Sequence, residues 1–358
     1  MVGNFMKLPI NIVILTPGFA ADEQDTTAIP ALQLYTRFLQ SHYDDLNIRI
    51  VAFQYPFKSG SYTWNGLPVY SAGGRNRKLI KILTWIKVMV HLYRLRKKTG
   101  IDIVHSFWLT EASLIGLVFC RFMGIRFLAT TMGQDVKPEN KYLSILRYFS
   151  FDMTVISLFQ HEYVKTLKKA KVLNVIPFGI DRSYFHDVSI PRTIDILGVG
   201  SLNSIKNYEQ FVEIIGSVAV VFPGISCRII GEGSKRSEIE KMIEEKRLEN
   251  NIILAGNLSY DKAIEEMHHG RILLHTSTFE GQALVITEAL AAGLYVVSYP
   301  VGIAATLQSE KLITGLTIKD LTRHLLALLQ NQHLDHTPEI HYTIDDTCRE
   351  YYKIYLEL

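Results

Sequence analysis

The sequence predicts an α/β protein of two doubly wound domains, each built around a parallel sheet. Short β-branched runs alternate with longer helical patterns, and this alternation occurs in two successive series. The strand candidates of the first series are Asn11–Leu15, Ile48–Phe53, Ile103–His105, Phe127–Thr131, Met153–Ser157 and Asn174–Pro177. Those of the second are Ile194–Gly200, Ser226–Ile230, Ile252–Ala255, Ile272–His275 and Tyr295–Ser298. A length of 358 residues also suits two domains better than one compact core.

The domain boundary is predicted within Phe178–Pro191, which is rich in turn-forming residues and lacks helical or strand periodicity. We therefore expect an N-terminal domain over residues 1–180 and a C-terminal domain over residues 181–342. Residues 343–358 read as one helix with an apolar, tyrosine-rich face, which we expect to pack back on the N-terminal domain. Because doubly wound domains bind ligands at the carboxyl ends of their strands, the active site is expected in an interdomain cleft.

Composition narrows the function classes. A formal net charge of +3 and 20% charged residues are ordinary for a globular protein and do not predict nucleic acid as a partner. The three cysteines are far apart and no C-x-x-C occurs, so neither a zinc site nor a disulfide framework is predicted, and a reducing compartment is expected. No apolar run approaches the roughly 18 residues of a membrane span, and the short run Ile10–Leu15 reads as a buried strand.

The segment Thr276–Gly293 carries the strongest functional signal. A strand runs into a turn of small residues, and a helix is predicted from about Gln282 to Ala292. Such a turn presents backbone N–H groups at the positive end of a helix, which suits a phosphate or diphosphate. Glu288 is unusual because it lies in the second half of an otherwise apolar helix, where an unpaired buried carboxylate is costly.

Two ribose hydroxyls would offset the cost of burying Glu288, and Glu280 in the turn could accept hydrogen bonds from the hydroxyls of a sugar. The alternative is that Glu288 points to solvent and Glu280 is an ordinary loop charge.

The segment resembles the E-x7-E signature of the retaining glycosyltransferases of family 4, which have the GT-B fold. Ile176–Asp181, Val199–Asn207 and Ile229–Gly233 resemble, in the same order, the family motifs V-I-P-N-G-V-D, V-G-R-L-x-x-x-K-N and I-x-G-x-G. The resemblance covers most of residues 100–300. It implies a GT-B-like fold and transfer of a sugar from a nucleotide diphosphate donor to a hydroxyl acceptor, with retention of configuration.

The resemblance also implies roles for residues of the C-terminal domain. Glu288 would hold the ribose, Glu280 the donor sugar, and Lys206 would neutralise the diphosphate, so that Glu280 and Lys206 are predicted to be catalytic. The backbone that would cradle the diphosphate belongs to Gly281, Gln282, Ala283 and Leu284. Gly231 completes the predicted donor-binding set of this domain. The donor enters as a substrate, and no cofactor or metal ion is expected.

Three residues of the N-terminal domain are also predicted at the site. Gly18, in the loop after the first strand, would let the backbone approach the donor phosphate and the acceptor. His105 ends a stretch that resembles the family's D-x-x-H strand and would be catalytic, although a satisfied core histidine is the alternative. Asp135 lies in Thr131–Asp135, which aligns with the family's T-x-H-G-x-D, and is the second catalytic candidate on this side.

Two departures from the family pattern bear on activity. Met132 stands where the family has a histidine, and Ser201 stands where it has a phosphate-binding arginine. Methionine neither donates a hydrogen bond to a sugar hydroxyl nor carries a proton, and loss of the arginine removes one of two cations. Either another group substitutes, with Lys137 as the candidate cation, or the protein is a weak or inactive relative.

The stretch Arg75–Lys98 is strongly basic, with nine lysines and arginines and no acidic residue before Asp102. Its apolar residues form a stripe at helical spacing, with Trp85 among them. A basic, aromatic-bearing amphipathic helix suits an anionic membrane surface, and the equal alternative is a buried helix with solvated ends.

The sequence thus predicts a retaining hexosyltransferase of polysaccharide biosynthesis that is cytoplasmic, and peripheral to the inner face of the plasma membrane if the basic helix binds lipid. Its acceptor would be a growing glycan or a lipid-linked saccharide. One alternative is a GT-B relative that binds a nucleotide sugar or a partner enzyme without efficient turnover. Another is a different two-domain enzyme, such as a sugar epimerase or a phosphorylase.

Overall fold

The computed structural model describes residues 9–185 and 190–358 of the chain. The chain divides into two compact units. Unit 1 comprises Met1–Ile156, Gln160–Phe178 and Ile344–Leu358, and unit 2 comprises Ser157–Phe159 and Gly179–Thr343. The predicted boundary segment includes residues 186–189, which lie outside the described residues.

Strands and helices alternate along most of the chain. The strands are β1 Ile10–Gly18, β2 Leu46–Tyr55, β3 Gly60–Trp64, β4 Leu67–Ser71, β5 Ile103–Phe107, β6 Arg126–Thr130, β7 Phe151–Val155, β8 Ala170–Val175, β9 Ile194–Val199, β10 Cys227–Ile230, β11 Ile252–Gly256, β12 Gly270–His275, β13 Tyr295–Ser298 and β14 Leu312–Thr314. The helices are α1 Pro30–His42, α2 Lys81–Thr99, α3 Glu111–Met123, α4 Leu143–Leu146, α5 Leu158–Val164, α6 Tyr208–Ala219, α7 Arg236–Glu245, α8 Tyr260–His268, α9 Leu284–Ala291, α10 Ile318–Gln330 and α11 Ile344–Glu357.

The sheet of unit 1 has eight strands in the order β3-β4-β2-β1-β5-β6-β7-β8. Its central strand β1 is an uninterrupted apolar run whose residues 12–15 have no exposed surface, as expected for a parallel strand covered on both faces. Neighbouring strands are parallel except for β3 and β4, an antiparallel pair that the sequence analysis did not include. Asn65 and Gly66 join this pair with φ values of 43° and 81°, the geometry that two-residue hairpin turns require.

Helix α11 belongs to unit 1 and packs against α1. Its tyrosine face is buried, with Tyr351 and Tyr355 essentially inaccessible to solvent. The hydroxyl of Tyr355 lies 2.6 Å from the hydroxyl of Tyr35 on α1. The apolar stripe that predicts this helix is therefore a core-forming surface of unit 1.

The sheet of unit 2 has six parallel strands in the order β11-β10-β9-β12-β13-β14. The edge strand β14 has three residues and was too short to be recognised from the sequence. Apart from β3 and β4, the predicted fold class of two Rossmann-like α/β domains with parallel sheets is confirmed. The order of strands reverses between β9 and β12, which is where domains of this kind bind ligands.

Candidate functional site

Two loops of unit 2 meet at the carboxyl ends of β9 and β12. The loop after β9 carries Lys206, and the turn after β12 carries Glu280. Two hydrogen bonds join these loops: Thr278 N–H donates to the Ile205 carbonyl (2.8 Å), and Thr276 Oγ1 donates to the Lys206 carbonyl (2.9 Å). The strand order and these bonds together bring Lys206 and Glu280 to one place.

Lys206 and Glu280 form an ion pair, with Nζ of Lys206 2.5 Å from Oε1 of Glu280. Burial alone would raise the pKa of Glu280, but the adjacent His275 ring and the charge of Lys206 lower it to about 2. Glu280 is therefore ionised at neutral pH, in a charge-assisted hydrogen bond. Two residues predicted to be catalytic are thus in direct contact.

His275, the last residue of β12, lies beside this pair and is not among the residues predicted from the sequence. Its Nδ1 is 2.9 Å from Ser298 Oγ, and that hydroxyl donates to the Tyr299 carbonyl (2.8 Å). Nε2 is buried, lies 3.4 Å from Oε1 of Glu280, and has no hydrogen-bond partner among the described residues. Burial lowers the pKa of His275, which keeps the ring neutral at neutral pH.

Glu288 is buried inside α9, which excludes the alternative of a solvent-facing carboxylate. The hydroxyl of Tyr260, the first residue of α8, donates a hydrogen bond to it. Burial raises the pKa of Glu288 to about 7, against the opposing effects of Tyr260 and the charge of Lys206. Glu288 therefore titrates near neutral pH. Tyr260 gave no signal in the sequence, because nothing in the residues around it indicates a carboxylate partner.

The turn from Gly281 to Leu284 leads into α9, which begins at Leu284 rather than at the predicted Gln282. Ser157 Oγ donates to the Gly281 carbonyl (2.5 Å), and Ile303 N–H donates to the Gln282 carbonyl (2.7 Å). Both carbonyls are thereby fixed. Ile286 N–H donates to the Ala283 carbonyl (2.9 Å), while the N–H groups of Leu284 and Val285 come before the first carbonyl that α9 could offer them.

Ala283, the residue before α9, has φ 67° and ψ 62°. This left-handed conformation costs an alanine roughly 1–2 kcal/mol relative to its ordinary regions. The turn is therefore held in a strained shape by the bonds around it, in the segment predicted to cradle a diphosphate.

Gly231 and Gly200 bring the ends of β10 and β9 together. Their φ values are 146° and 145°, and a Cβ on Gly231 would lie 2.0 Å from the Gly200 carbonyl oxygen. A Cβ on Gly200 would lie 3.1 Å from Cε of Lys206. Gly231 thus allows the two strand ends to approach closely, and Gly200 leaves the space that the Lys206 side chain occupies.

His105 lies in the core of unit 1, which corrects its predicted placement at a site. It has no exposed surface, Nδ1 is 2.6 Å from the Tyr355 hydroxyl, and Nε2 is 2.7 Å from Thr130 Oγ1. Burial lowers the pKa of His105 to about 3. With both ring nitrogens occupied, His105 is the satisfied core histidine that the sequence left as the alternative.

Asp135 anchors its own loop. Its carboxylate is buried and accepts hydrogen bonds from the backbone N–H groups of Leu109 (2.8 Å), Gly133 (2.6 Å) and Met132 (3.1 Å). Burial raises the pKa of Asp135, although these bonds oppose the shift. The structure therefore accounts for Asp135 as a residue that shapes the 131–135 loop.

Gly18 is the last residue of β1 rather than part of the following loop. A Cβ there would lie 3.3 Å from the Cβ of Tyr55 on β2, so its small size serves strand packing. Ser201, in place of the family's arginine, is exposed beside the loop that carries Lys206. Nearby Lys235 and Arg236 are each paired with two glutamates.

Across residues 9–185 and 190–358, no three His, Cys, Asp or Glu side chains come together as a metal site. In the same residues, no helix has the length and apolar character needed to cross a membrane.

Residues 185–339 match the family model for glycosyl transferases group 1. The chain is similar to a phosphatidylinositol N-acetylglucosaminyltransferase of Arabidopsis thaliana, with 28% identity over 139 residues, which cover 38% of this chain and 31% of that protein. The human protein of the same name is 31% identical over 145 residues, covering 40% of this chain and 30% of that protein. The poly(ribitol-phosphate) alpha-N-acetylglucosaminyltransferase of Staphylococcus aureus is 30% identical over 132 residues, 35% and 26% of the two chains. The matches thus span less than a third of these relatives.

Solved structures share the fold over nearly the whole chain. Sucrose-phosphate synthase from Thermosynechococcus elongatus has a TM-score of 0.76 at 15% identity, with 97% of each chain covered. Anabaena HepE in complex with UDP and glucose has a TM-score of 0.74 at 14% identity, covering 98% of this chain and all of that one. The protein therefore has the fold of the GT-B glycosyltransferases, and its residues 185–339 resemble the glycosyl transferases of group 1.

Proposed function

We propose that the protein is a retaining glycosyltransferase of family 4, which transfers a hexose from a nucleotide diphosphate donor to a hydroxyl acceptor. The observation that carries this proposal is the convergence of Lys206, Glu280 and Glu288 around the turn before α9. A cation, two carboxylates and a helix N-terminus are the groups that a diphosphate joining a ribose to a sugar requires.

The chemistry assigned to these residues is charge stabilisation and positioning. The bond between the anomeric carbon and the diphosphate breaks, and the diphosphate leaves with the electron pair. The acceptor oxygen forms its bond to the same face of the sugar, and its proton passes to the departing diphosphate. Lys206 and the N–H groups at the start of α9 stabilise the developing negative charge, and Glu280 orients the sugar. No metal ion is required in this scheme.

Lys206 must divide its interactions between Glu280 and the diphosphate. Its ammonium group neutralises Glu280. An ammonium carries three donors, so Lys206 can hold a phosphate oxygen and Glu280 together. Gly231 and residues 281–284 stay in the proposal as backbone contacts to the donor.

Uridine diphosphate is the nucleotide that the comparisons favour. HepE of Anabaena was solved with UDP-glucose, and the pneumococcal O-GlcNAc transferase GtfA was solved with UDP and GlcNAc. Both are similar to this chain in fold, with TM-scores of 0.68 and 0.62. We therefore propose UDP-glucose or UDP-N-acetylglucosamine as the donor.

The acceptor is proposed to be a hydroxyl on a glycan or a lipid-linked saccharide. The names of the curated relatives specify phosphatidylinositol, poly(ribitol-phosphate) and poly(glycerol-phosphate) as acceptors, which are lipids or polymers rather than small sugars. A cytoplasmic location, peripheral to a membrane that carries such an acceptor, follows from this choice.

Donor turnover in the purified protein tests the proposal. The protein is incubated with UDP-, GDP-, ADP- and dTDP-sugars, and release of the nucleoside diphosphate is measured with and without candidate acceptors. We expect turnover of a UDP-sugar, an axial product linkage by NMR, and loss of at least about 100-fold in Glu280→Ala. Glu249→Ala, which removes an exposed glutamate of the same unit, is the matched control. An isomerised donor or a requirement for phosphate would instead identify an epimerase or a phosphorylase.

The second candidate function is nucleotide-sugar binding without efficient turnover. Met132 and Ser201 favour it, because each removes a polar group from the family pattern. In that case UDP raises the melting temperature, while wild type and Glu280→Ala release UDP at the same negligible rate. A protein that no nucleotide sugar stabilises would contradict both candidates.

A further inference from the structure

Helix α2 presents its apolar stripe to solvent. Six large apolar side chains on α2 and the turn before it are between 42% and 97% exposed: Leu79, Ile82, Leu83, Ile86, Val90 and Tyr93. The residues that α2 buries are Thr84, Val88 and Leu92. At about 100° per residue, the centre of these three lies about 140° around the helix from the centre of Ile82, Ile86 and Tyr93. The buried-helix alternative for this segment therefore does not hold.

Basic side chains border the apolar stripe. Lys87, Arg94 and Lys98 are exposed and follow the stripe along one edge, at about 120–160° from Ile82 around the helix. None of these three forms an ion pair within the described residues, whereas Lys81 at the helix start is held by Glu111 at 3.0 Å. The exposed face is thus both apolar and positively charged, with no acidic residue between 75 and 101.

The folded unit fixes this face in place. Lys81 ties the start of α2 to Glu111 on α3, and Arg96 near its end donates to the Met123 carbonyl (3.2 Å). The helix is therefore held to unit 1 near both ends, and its apolar stripe cannot turn inward without breaking both contacts. Large apolar patches that remain exposed on a folded surface mark contact sites.

We propose that the exposed face of α2 docks the protein on an anionic lipid bilayer. This face consists of the six exposed apolar side chains and the three basic side chains named above. The apolar side chains enter the boundary between headgroups and acyl chains, and the basic side chains contact the lipid phosphates. This proposal rests on the surface of unit 1 and is independent of the chemistry proposed for unit 2.

The positive charge of this face favours an anionic bilayer over a second copy of the chain as its partner. A symmetric pair formed through α2 would bring the same uncompensated lysines and arginines of both copies together, and like charges oppose such contact. An anionic membrane supplies the opposite charge over an extended plane, which suits a straight helix that lies parallel to the surface.

Vesicle flotation with the full chain tests the proposal. The vesicles contain phosphatidylcholine alone or phosphatidylcholine with phosphatidylglycerol, at low and high ionic strength. We expect flotation with the anionic vesicles and weaker binding at high salt. Ile82→Asp/Ile86→Asp should reduce the partition coefficient by at least roughly tenfold. Lys87→Glu/Arg94→Glu should reduce it by roughly 30-fold.

Matched controls come from unit 2. Val220→Asp/Leu316→Asp changes two equally apolar side chains that are 82% and 79% exposed, and should bind as wild type does. Lys262→Glu/Lys319→Glu makes the same charge change as the basic double variant. Circular dichroism checks that each variant is folded.

Three results would overturn the proposal. The first is no flotation of the wild-type chain with anionic vesicles at low salt. The second is flotation that Ile82→Asp/Ile86→Asp leaves unchanged. The third is a wild-type dimer in solution that this variant converts to a monomer, because a second copy would then occupy the face.

Discussion

Nε2 of His275 faces Oε1 of Glu280 across 3.4 Å, while Nδ1 of the same ring is bound to Ser298. The ring therefore connects the Ser298 hydroxyl at the end of β13 to the carboxylate that pairs with Lys206. In the proposed reaction the buried His275 would act on the donor sugar through Glu280, as a positioning residue.

We expect His275→Asn to lower kcat for sugar transfer by about tenfold, because Glu280 loses a packing neighbour. The Kd for UDP should stay within about twofold of the wild-type value, because Lys206 keeps its charge. Steady-state kinetics and UDP titration measure the two quantities. His333→Asn, an exposed position of the same unit, is the control. Equal losses of kcat and UDP affinity would show that His275 is part of the nucleotide contact instead.

Lys206→Met should weaken UDP binding by roughly 10–100-fold, since it removes a charge-assisted contact to the diphosphate. It also removes one of the groups that lower the pKa of Glu280. Isothermal titration with UDP and with uridine separates the effects, because uridine lacks the diphosphate and should lose no affinity. Lys235→Met should leave both affinities unchanged.

Glu288→Gln should change the pH dependence of stability. The native carboxyl keeps its proton up to a pKa of about 7, whereas the unfolded one loses it near the ordinary value of 4.5. The native state therefore loses stability as pH rises from about 4.5 to 7, by about 3 kcal/mol for an isolated group. Glutamine cannot ionise, so the variant should match wild type at pH 5 and be the more stable protein at pH 8. Urea unfolding at both pH values measures this. Parallel pH profiles for the two proteins would contradict the assignment.

Ala283 offers a test of backbone strain with two opposed substitutions. Ala283→Gly should change the free energy of unfolding by no more than about 1 kcal/mol. Glycine relieves the strain of the left-handed conformation. That gain offsets the loss of a buried methyl group and the greater freedom of the unfolded chain. Ala283→Val should cost about 2–3 kcal/mol, since a β-branched residue is disfavoured in that conformation. Urea unfolding measures both variants. A valine variant as stable as wild type would show that the turn relaxes.

Tyr355→Phe should lower the free energy of unfolding by about 1–3 kcal/mol, because Nδ1 of His105 and the Tyr35 hydroxyl lose a buried partner. UDP affinity should not change, as expected of a core role for His105. Tyr352→Phe removes a part-buried hydrogen bond from the same helix to Asp45. It should lower the free energy of unfolding by less than Tyr355→Phe does. A loss of transfer activity in Tyr355→Phe without a loss of stability would indicate that His105 is a site residue after all.

The sequence was most informative where chain neighbours determine the structure. The strand, turn and helix around Glu280 and Glu288 are contiguous, so their pattern predicted the element order in unit 2. Glu288 could be recognised because a carboxylate in an apolar helix needs a partner, but the partner Tyr260 comes from a separate helix. His275 was missed for a similar reason, since its hydrogen-bond partner Ser298 lies on a separate strand.

In unit 1, two local sequence patterns each allowed two interpretations. Contacts between distant parts of the chain show which interpretation is right. His105 ends a strand in either interpretation, and the hydroxyls of Tyr355 and Thr130 make it a core residue. The stripe on α2 has helical period whether it faces the core or the solvent, and burial of Thr84, Val88 and Leu92 decides the orientation. The β3–β4 pair carried an overlooked signal, the Asn65–Gly66 turn.

The chain leaves unit 1 after Phe178 and returns to it at Ile344. A ribosome therefore synthesises all of residues 179–343 before it makes α11. Until then the emerging unit 1 lacks Tyr351 and Tyr355, and His105 lacks its Tyr355 partner. The strands of unit 2 come from one uninterrupted segment, so unit 2 can complete its sheet during synthesis. We therefore expect unit 2 to reach its native structure before unit 1, although the first strand of unit 1 is synthesised first.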